Sequence, residues 1–170
     1  MSYFSENRPK IERMNELLHT QYQLVQSSRQ VLFQYCQQLS PAELVGSVAG
    51  FGRGSICNLL VHNARTYAYW LGKIGLGKAE DIPAEEAFST LPEIEHYYRH
   101  IDELVLAFLA CYREKWQEQK PFPLYGNEVM VTPLQLFTHV ITHEFHHKGQ
   151  VLSMGRQWGY VPVDTDVIRV

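Results

Sequence analysis

The sequence predicts an all-α protein, a four-helix bundle with long crossover loops and one short β-hairpin before the last helix. Four segments repeat apolar residues at the 3.6-residue spacing of an amphipathic helix. Loops of about 15 to 20 residues, marked by glycine and proline, separate the first three of these segments. A length of 170 residues, 45% hydrophobic and 19% charged, fits one globular domain over residues 1–170.

The first helix is predicted from Ile11 to Leu39, because apolar residues recur at helical spacing until Ser40-Pro41 disfavours continuation. Residues 1–10 are polar and are expected to be frayed or loosely docked. Residues 40–54 are predicted as a loop. Its sequence GFGRG is rich in glycine, as a phosphate cradle would be, but it lacks the Lys-Ser/Thr pair of a P-loop and follows no strand. A flexible connection is the favoured interpretation.

The second helix is predicted from Ile56 to Lys73, with Ser55 as its N-cap. His62 and Asn63 lie in the middle of its apolar face. The following loop, residues 74–92, is polar and leaves room for a short helical turn at residues 83–88.

The third helix is predicted to begin near Pro92 and to end before Lys120-Pro121. Residues 121–132 hold two short β-prone runs around Gly126-Asn127, which is a dipeptide typical of hairpin turns. The fourth helix is predicted from Pro133 to about Trp158, after the N-cap Thr132. The tail to Val170 is expected to form an ordered strap.

Four of the eight histidines lie within residues 139–147, on the predicted fourth helix. His139, His143 and His147 follow each other at i, i+4 and i+8, so neighbouring pairs share one helix face. Two imidazoles one turn apart can bind the same metal ion, and His143 with His147 is the favoured pair. His139 is assigned to a supporting position near the metal or the substrate pocket, and His146 to the rim.

A third ligand must come from another helix, and His62 is the strongest candidate because core positions flank it. Three neutral imidazoles would leave a coordination position open, and the metal would acidify water bound there toward a pKa of about 7. The alternative, which the sequence leaves open, is that these histidines only make hydrogen bonds in the core or on the surface.

The same stretch also spells H-E-x-x-H, from His143 to His147. In a zinc protease Glu144 would be the general base between two zinc-binding histidines. No further H-x-x-G-x-x-H pattern follows, and the predicted fold offers no good edge strand for an extended peptide. Glu144 therefore stays a weak candidate base, and a zinc hydrolase is the less favoured alternative.

Composition argues against two classes of partner. The formal net charge is −3 and the sequence pI is about 6.2, whereas nucleic-acid-binding domains are usually basic. No apolar run approaches the ~20 residues needed to cross a bilayer. The N-terminus has no apolar signal region. The three cysteines are widely separated and are expected to be free thiols, so a cytoplasmic location is predicted.

The motifs together resemble the DinB/YfiT superfamily of metal-binding four-helix bundles. The resemblance covers residues 11–166, and it rests on three segments of the sequence. These are Ser55-Ile56-(x)5-His62 leading to Tyr69-Trp70, His139-Val-Ile-Thr-His143-Glu-(x)2-His147-Lys-Gly-Gln150, and Trp158-Gly-Tyr-Val-Pro-Val-Asp-Thr-Asp166. It implies an up-down-down-up bundle, a divalent metal on His62, His143 and His147, and a homodimer. Lys148 stands where many members have arginine, which leaves the ligands unchanged.

The resemblance implies several functions. Some members are thiol-dependent transferases or isomerases that use a low-molecular-weight thiol, and others have been viewed as hydrolases. The leading hypothesis is a metal-dependent enzyme, a thiol-dependent transferase, acting on a small molecule. The metal would be Zn, Ni, Fe or Mn. The main alternative is a non-catalytic dimeric bundle that binds a metal or ligand.

Overall fold

The computed structural model describes residues 3–79, 81–124 and 126–169. Within these residues the chain is mostly helical, with an antiparallel hairpin directly before the last helix. The predicted all-α bundle and its hairpin are therefore confirmed. The elements are α1 (Tyr3–Cys36), α2 (Pro41–Val45), α3 (Ile56–Tyr67), a π-helical segment (Ala68–Gly75), a 3-10 turn (Glu85–Ala87), α4 (Leu91–Cys111), β1 (Lys120–Leu124), β2 (Asn127–Val131) and α5 (Pro133–Gln157).

Three helices begin where the capping residues of the sequence place them. The Ser55 hydroxyl accepts a hydrogen bond from the backbone N–H of Asn58 at the start of α3. Thr132 and Gln135 form a reciprocal capping box at the start of α5, and Thr90 with Glu93 does the same for α4. Each cap satisfies backbone donors that the first turn leaves free.

The N-terminal region differs from the prediction in two respects. Helix α1 begins at Tyr3 rather than Ile11, because backbone hydrogen bonding continues through a stretch whose polar residues give no apolar repeat. The predicted loop 40–54 contains the five-residue helix α2, capped by Ser40 and Glu43. Fixed turns follow α2, with Gly50 and Gly54 at φ of 86° and 75°. These positive φ values favour glycine at both positions, and the interpretation of the loop as a flexible connection stays a prediction.

The second helix does not end as a regular α-helix. After Tyr67 the backbone widens into a π-helical segment that closes at Gly75. The Leu76 N–H donates to the carbonyl of Leu71 at 2.9 Å, which is the i→i−5 spacing of that geometry. A Cβ on Gly75 would lie 2.5 Å from the Phe108 ring, so glycine permits the close approach of this segment to α4.

Helix α4 ends at Cys111, well before the predicted limit at Lys120. The aromatic residues Tyr112 and Trp116 continue the apolar spacing in sequence, and both are buried. They do so from turns rather than from a helix: the Lys115 N–H donates to the Tyr112 carbonyl, and the Tyr112 hydroxyl donates to the Gly75 carbonyl. The predicted helix was too long because these buried aromatic residues keep a helical spacing in the sequence after the helix has ended.

Helix α3 packs against both α4 and α5, which places its central residues in the interior of the bundle. The C-terminal tail lies as a strap over the outside, as predicted for its described part. Its Thr165 is buried and accepts a hydrogen bond from Ser28 of α1, and its Tyr160 donates to Glu43 of α2 at 2.8 Å. These contacts close the bundle at one side of α1.

Two further sequence expectations concern the whole chain. Cys36, Cys57 and Cys111 are all unpaired, as predicted. Among the helices of the described residues, none is both long enough and apolar enough to cross a membrane.

Candidate metal centre

The three histidines predicted as ligands come together in the structure. His62 projects from α3, and His143 and His147 project from successive turns of α5. Their ring centroids lie 4.2 Å apart for His143 and His147, 5.2 Å for His62 and His143, and 5.0 Å for His62 and His147. One ring nitrogen from each residue lies within 4.8 Å of those of the other two, so the cluster could hold a metal ion.

The spacing of the nitrogens suits a small divalent ion. The Nε2 atoms of His143 and His147 are 3.1 Å apart. Two imidazoles bound to zinc at about 2.0–2.1 Å in tetrahedral geometry would have nitrogens about 3.3 Å apart. The two histidines of α5 therefore already stand at the separation that a shared ion requires, and His62 approaches from the opposite helix.

The orientation of His143 is fixed through Asn63, its neighbour on α3. The Nδ1 of His143 lies 3.3 Å from the Asn63 side-chain oxygen. The amide of Asn63 donates at 2.9 Å to the Tyr98 hydroxyl, which itself donates to the Leu60 carbonyl at 3.1 Å. Because Tyr98 must accept from the Asn63 amide, the Asn63 oxygen is turned toward His143. An acceptor at this position favours the tautomer of His143 that carries its proton on Nδ1 and a lone pair on Nε2.

The orientation of His147 is fixed in the same way by Gln150, one turn further along α5. The Gln150 oxygen lies 2.7 Å from Nδ1 of His147, and its amide nitrogen lies 3.2 Å from Nε2 of His146. The amide can donate to His146 while its oxygen accepts from His147. His146 is exposed, as predicted for a rim residue, and it helps to hold Gln150 rather than to face the cluster.

His62 faces a carboxylate instead of an amide. The Oε1 atom of Glu85, in the 3-10 turn, lies 3.7 Å from Nδ1 of His62. The same oxygen accepts hydrogen bonds from Nη1 of Arg53 at 2.8 Å and from Nη1 of Arg65 at 3.1 Å. A carboxylate behind a histidine is a frequent arrangement around metal-binding imidazoles, because it fixes the ring and makes the facing nitrogen a better ligand.

The tautomers that Asn63 and Gln150 favour for His143 and His147 suit the binding of a cation. If Nδ1 carries the proton on both His143 and His147, their Nε2 lone pairs face each other at 3.1 Å. Two lone pairs at that distance repel unless a positive ion lies between them. The acceptors at Asn63 and Gln150 thus favour the protonation state in which the pair binds a metal.

The electrostatic environment keeps these imidazoles neutral. Burial, followed by the positive charge of Arg53, lowers the pKa of His62 to about 4. Burial and the neighbouring histidines lower the pKa of His143 to about 3, and burial lowers the pKa of His147. Metal ions bind neutral imidazole, so at pH 7 the three ligands are in the binding form without loss of a proton.

His139 lies beside the cluster, on the side of an aromatic wall. It is exposed, and its ring centroid is 5.7 Å from that of His143 and 4.9 Å from that of Trp70. Trp70 belongs to the π-helical segment and also contacts Phe122 of β1. The π-helix and the hairpin therefore meet at one edge of the histidine cluster, where they supply apolar surface.

Glu144 lies in a buried ion cluster. Its Oε1 accepts from Nε of Arg29 at 2.9 Å and lies 3.2 Å from the Lys148 ammonium. Its Oε2 accepts from Nη2 of Arg29 at 2.9 Å and from the Tyr67 hydroxyl at 2.6 Å. Burial would raise the pKa of Glu144, but Arg29 and Lys148 hold it below its ordinary value. Both carboxylate oxygens thus have structural partners, an unfavourable arrangement for the general base of a peptidase.

Sequence reasoning found the histidines but missed the residues that orient them. Glu85 lies in a polar loop without periodicity, and Arg53 lies in the glycine-rich segment that was interpreted as a connection. Gln150 was noted only as part of a motif, and Asn63 only as a polar residue in mid-helix. Their roles depend on which side chains meet across the bundle, and no spacing in the sequence encodes that.

The fold and the site define a helical-bundle protein with a candidate three-histidine metal centre facing its interior. The family model of the DinB family matches residues 14–170, and the chain belongs to that family. This confirms the resemblance drawn from the histidine motifs.

Two relatives from Bacillus subtilis (strain 168) are similar to this chain. Protein DinB is 29% identical over 94 residues, which cover 54% of this chain and 53% of that protein. The uncharacterized protein YizA is 26% identical over 137 residues, which cover 80% of this chain and 84% of that protein. The match therefore spans about half the length of DinB and most of YizA.

Proposed function

We propose that this protein is a metal-dependent enzyme that binds one divalent ion through His62, His143 and His147 and acts on a small molecule. The observation that carries the proposal is the convergence of three histidines, with one ring nitrogen of each within 4.8 Å of the other two and the Nε2 atoms of His143 and His147 3.1 Å apart. Polar nitrogens that face each other inside a protein without a shared ion cost free energy. The arrangement therefore favours a metal site over histidines that serve packing alone.

The residues of this chain would do three things for the reaction. Asn63 and Gln150 hold the imidazoles of His143 and His147 in one orientation, and the Glu85 carboxylate lies beside His62. Burial keeps the imidazoles neutral and strengthens their interaction with a cation. A bound divalent ion would act as a Lewis acid that lowers the pKa of a coordinating thiol or water.

The substrate side of the proposal is a thiol-dependent transfer, with a low-molecular-weight thiol as nucleophile. Membership in the DinB family favours this class, since the sequence motifs resemble members that act in this way. The site is accessible to a small molecule because the His62 side chain keeps 20% of its surface exposed. We also propose that the protein forms a homodimer and is located in the cytoplasm.

Metal content is the first test. Protein purified without an affinity tag is expected to carry about one Zn, Ni, Fe or Mn ion per chain by elemental analysis. His62→Ala and His143→Ala should each lower that value strongly, whereas the exposed His19→Ala on α1 should not. Less than ~0.2 ion per chain in the wild type, with no change in His62→Ala, would overturn the metal site.

Turnover is the second test. The metal-loaded protein is offered a panel of electrophiles with and without a thiol, and thiol consumption is followed. Thiol-dependent turnover that disappears in His147→Ala supports the enzyme. Tight metal binding without turnover across the panel would instead favour a non-catalytic metal- or ligand-binding bundle.

A further inference from the structure

We propose that Arg53, presented by the glycine-rich loop, forms with Arg65 a subsite that binds a carboxylate group of the molecule held at the three-histidine centre. This inference rests on the proposed metal site and adds a substrate class to it. The expected ligand is a small thiol that carries a carboxylate, with its sulfur toward the histidines and its carboxylate toward Arg53.

The loop holds Arg53 in a defined place. Gly50 and Gly54 take positive φ values that other residues rarely adopt, and the Val48 N–H donates to the Gly54 carbonyl. The carbonyl of Arg53 accepts from the Ser55 N–H at 2.9 Å and from the Asn58 side chain at 3.2 Å. The backbone of Arg53 is therefore fixed to the first turn of α3, which is the helix that carries His62.

Arg53 lies close to the histidine cluster. Its Nη1 is 2.8 Å from Oε1 of Glu85, and that same oxygen is 3.7 Å from Nδ1 of His62. One carboxylate atom thus separates the guanidinium from a metal ligand.

The charges around Glu85 do not balance. Arg53 and Arg65 contribute two positive charges, and both donate to the same single carboxylate. The Nε of Arg65 is buried and lacks a hydrogen-bond partner within the described part of the chain. One excess positive charge remains beside a centre that would gain two more from a divalent ion. This potential favours an anionic ligand over a neutral one.

The guanidinium groups are also open to solvent. The Arg53 side chain is 44% exposed and that of Arg65 is 34% exposed, whereas Glu85 is only 10% exposed. An arginine carries five N–H donors in a planar fork that matches a carboxylate. Glu85 accepts from Nη1 of each arginine, and we expect a second carboxylate to bind donors of these half-exposed side chains that Glu85 does not use. The alternative role, in which the arginines serve only to position Glu85, predicts no preference for a charged ligand beyond the preference of the metal ion itself.

A matched pair of thiols separates these roles. Cobalt(II) is loaded into the protein, and the binding of 3-mercaptopropionate and of its neutral amide is titrated through the sulfur-to-cobalt absorption band. With free cobalt, the two thiols have a certain ratio of dissociation constants. In the wild type we expect this ratio to favour the carboxylate thiol about tenfold more, which corresponds to about 1.4 kcal/mol. The preference should shrink as salt is raised, because the carboxylate contact is exposed.

Variants assign the preference to Arg53. Arg53→Gln should bring the ratio of the two dissociation constants to that of the thiols with free cobalt, and Arg53→Lys should retain part of it. Arg113→Gln is the control, since Arg113 is 58% exposed on the turn after α4. This variant makes the same chemical change, and any intrinsic difference between the two thiols affects it equally. If Arg53→Gln does not fold, Arg65→Gln and the salt dependence of the wild type carry the test.

The outcomes are distinct. Equal preference in wild type and Arg53→Gln, or a wild-type ratio equal to that of free cobalt, overturns the carboxylate subsite while the metal site stands. If cobalt does not bind in a His62-dependent manner, the proposed function fails and the subsite fails with it.

Discussion

His143 and His147 are each oriented by one acceptor atom, His62 lies near a carboxylate, and these three partners come from different parts of the chain. Asn63 lies next to His62 on α3 but serves His143 across the interface, at 3.3 Å. Gln150 serves His147 within α5 at 2.7 Å. Glu85 serves His62 from a 3-10 turn at 3.7 Å. The centre is therefore sensitive to residues that would never touch the metal.

Asn63→Ala tests this dependence. The variant removes the acceptor behind His143, so its imidazole can rotate or place its proton on Nε2, where it blocks metal binding. We expect the affinity for zinc to fall by about 10- to 100-fold. The measurement is a competition titration with a chromophoric chelator, supported by circular dichroism to confirm that the variant is folded.

The matched control for Asn63→Ala is Asn58→Ala on the same helix. The Asn58 side chain donates to the Arg53 carbonyl at 3.2 Å rather than to a histidine of the cluster. Its zinc affinity should stay within about twofold of the wild type, a change worth less than 0.5 kcal/mol by the usual conversion of about 1.4 kcal/mol per tenfold. Equal affinities in the two variants would show that the Asn63 contact does not organise His143.

At this scale the sequence predicts ligands better than their supports. Helical spacing alone brings His143 and His147 together, and a central position in an apolar face marks His62. The supports depend on tertiary contact: Glu85 reaches His62 only because the loop between α3 and α4 folds back onto α3. A single sequence contains no periodicity that reports such a contact.

Among the helices, α5 carries most of the candidate site and meets α1 near its C-terminal end. A Cβ built on Gly155 would collide with the Tyr35 hydroxyl and lie 2.9 Å from the ring carbon Cζ. The Tyr35 oxygen is itself buried without a hydrogen-bond partner among the described residues. Glycine at position 155 therefore sets how closely α1 and α5 approach.

Gly155→Ala should destabilise the protein even though alanine favours helix. Helix propensity would add up to about 1 kcal/mol of stability, but crowding against Tyr35 is expected to cost about 1–3 kcal/mol. We expect a lower midpoint in urea unfolding. Adding Tyr35→Phe should recover part of the loss, because it removes the oxygen that collides.

Gly149→Ala is the control for Gly155→Ala on the same helix. Position 149 is exposed, and a Cβ there meets nothing within 4 Å. Only the propensity gain of up to about 1 kcal/mol applies, so the urea midpoint should rise. If both alanines stabilise, the close approach at Gly155 is not tight enough to matter.

Helix boundaries were predicted most accurately where a capping residue marks the start of the helix. Ser55 and Thr132 cap α3 and α5 where local sequence placed them, because a cap depends on neighbouring residues. The end of α4 was wrong by several residues, and the π-helical segment was not foreseen. Both depend on packing: Tyr112 and Trp116 stay buried after the helix stops, and Gly75 permits contact with Phe108.

Across the whole molecule, a buried ion cluster joins the long helices. Arg29 of α1 binds Glu144 of α5 through two nitrogens and Asp102 of α4 through a third, at 2.7 Å. Tyr67 of α3 donates to Glu144, and Lys148 donates to Ser28, which reaches the C-terminal strap. The sequence predicts the bundle from apolar faces alone. It gives no sign of this cluster, because the charged residues occupy positions that look like interruptions of those faces.

Removing the central anion of this cluster should destabilise the whole fold. In Glu144→Gln, Arg29 and Lys148 lose their shared carboxylate while they remain buried, which typically costs about 3–5 kcal/mol. We expect that loss in urea unfolding of the metal-free protein. Burial already lowers the pKa of Lys148 to about 8 against the opposing effect of Glu144. Adding Lys148→Met should therefore recover part of the stability, because it removes the charge that Glu144→Gln leaves unpaired, whereas Arg29 keeps its ion pair with Asp102.

The exposed Glu103→Gln on α4 makes the same chemical change away from the cluster, and such surface substitutions usually stay within about 0.5 kcal/mol. A loss below about 1 kcal/mol in Glu144→Gln would show that the cluster does not hold the helices together. The H-E-x-x-H interpretation makes the opposite prediction for this residue, because a catalytic base can be removed with loss of hydrolysis and little change in stability. Because the carboxylate is fully enclosed by cations and a hydroxyl, we expect the stability of the bundle, rather than a peptidase activity, to depend on Glu144.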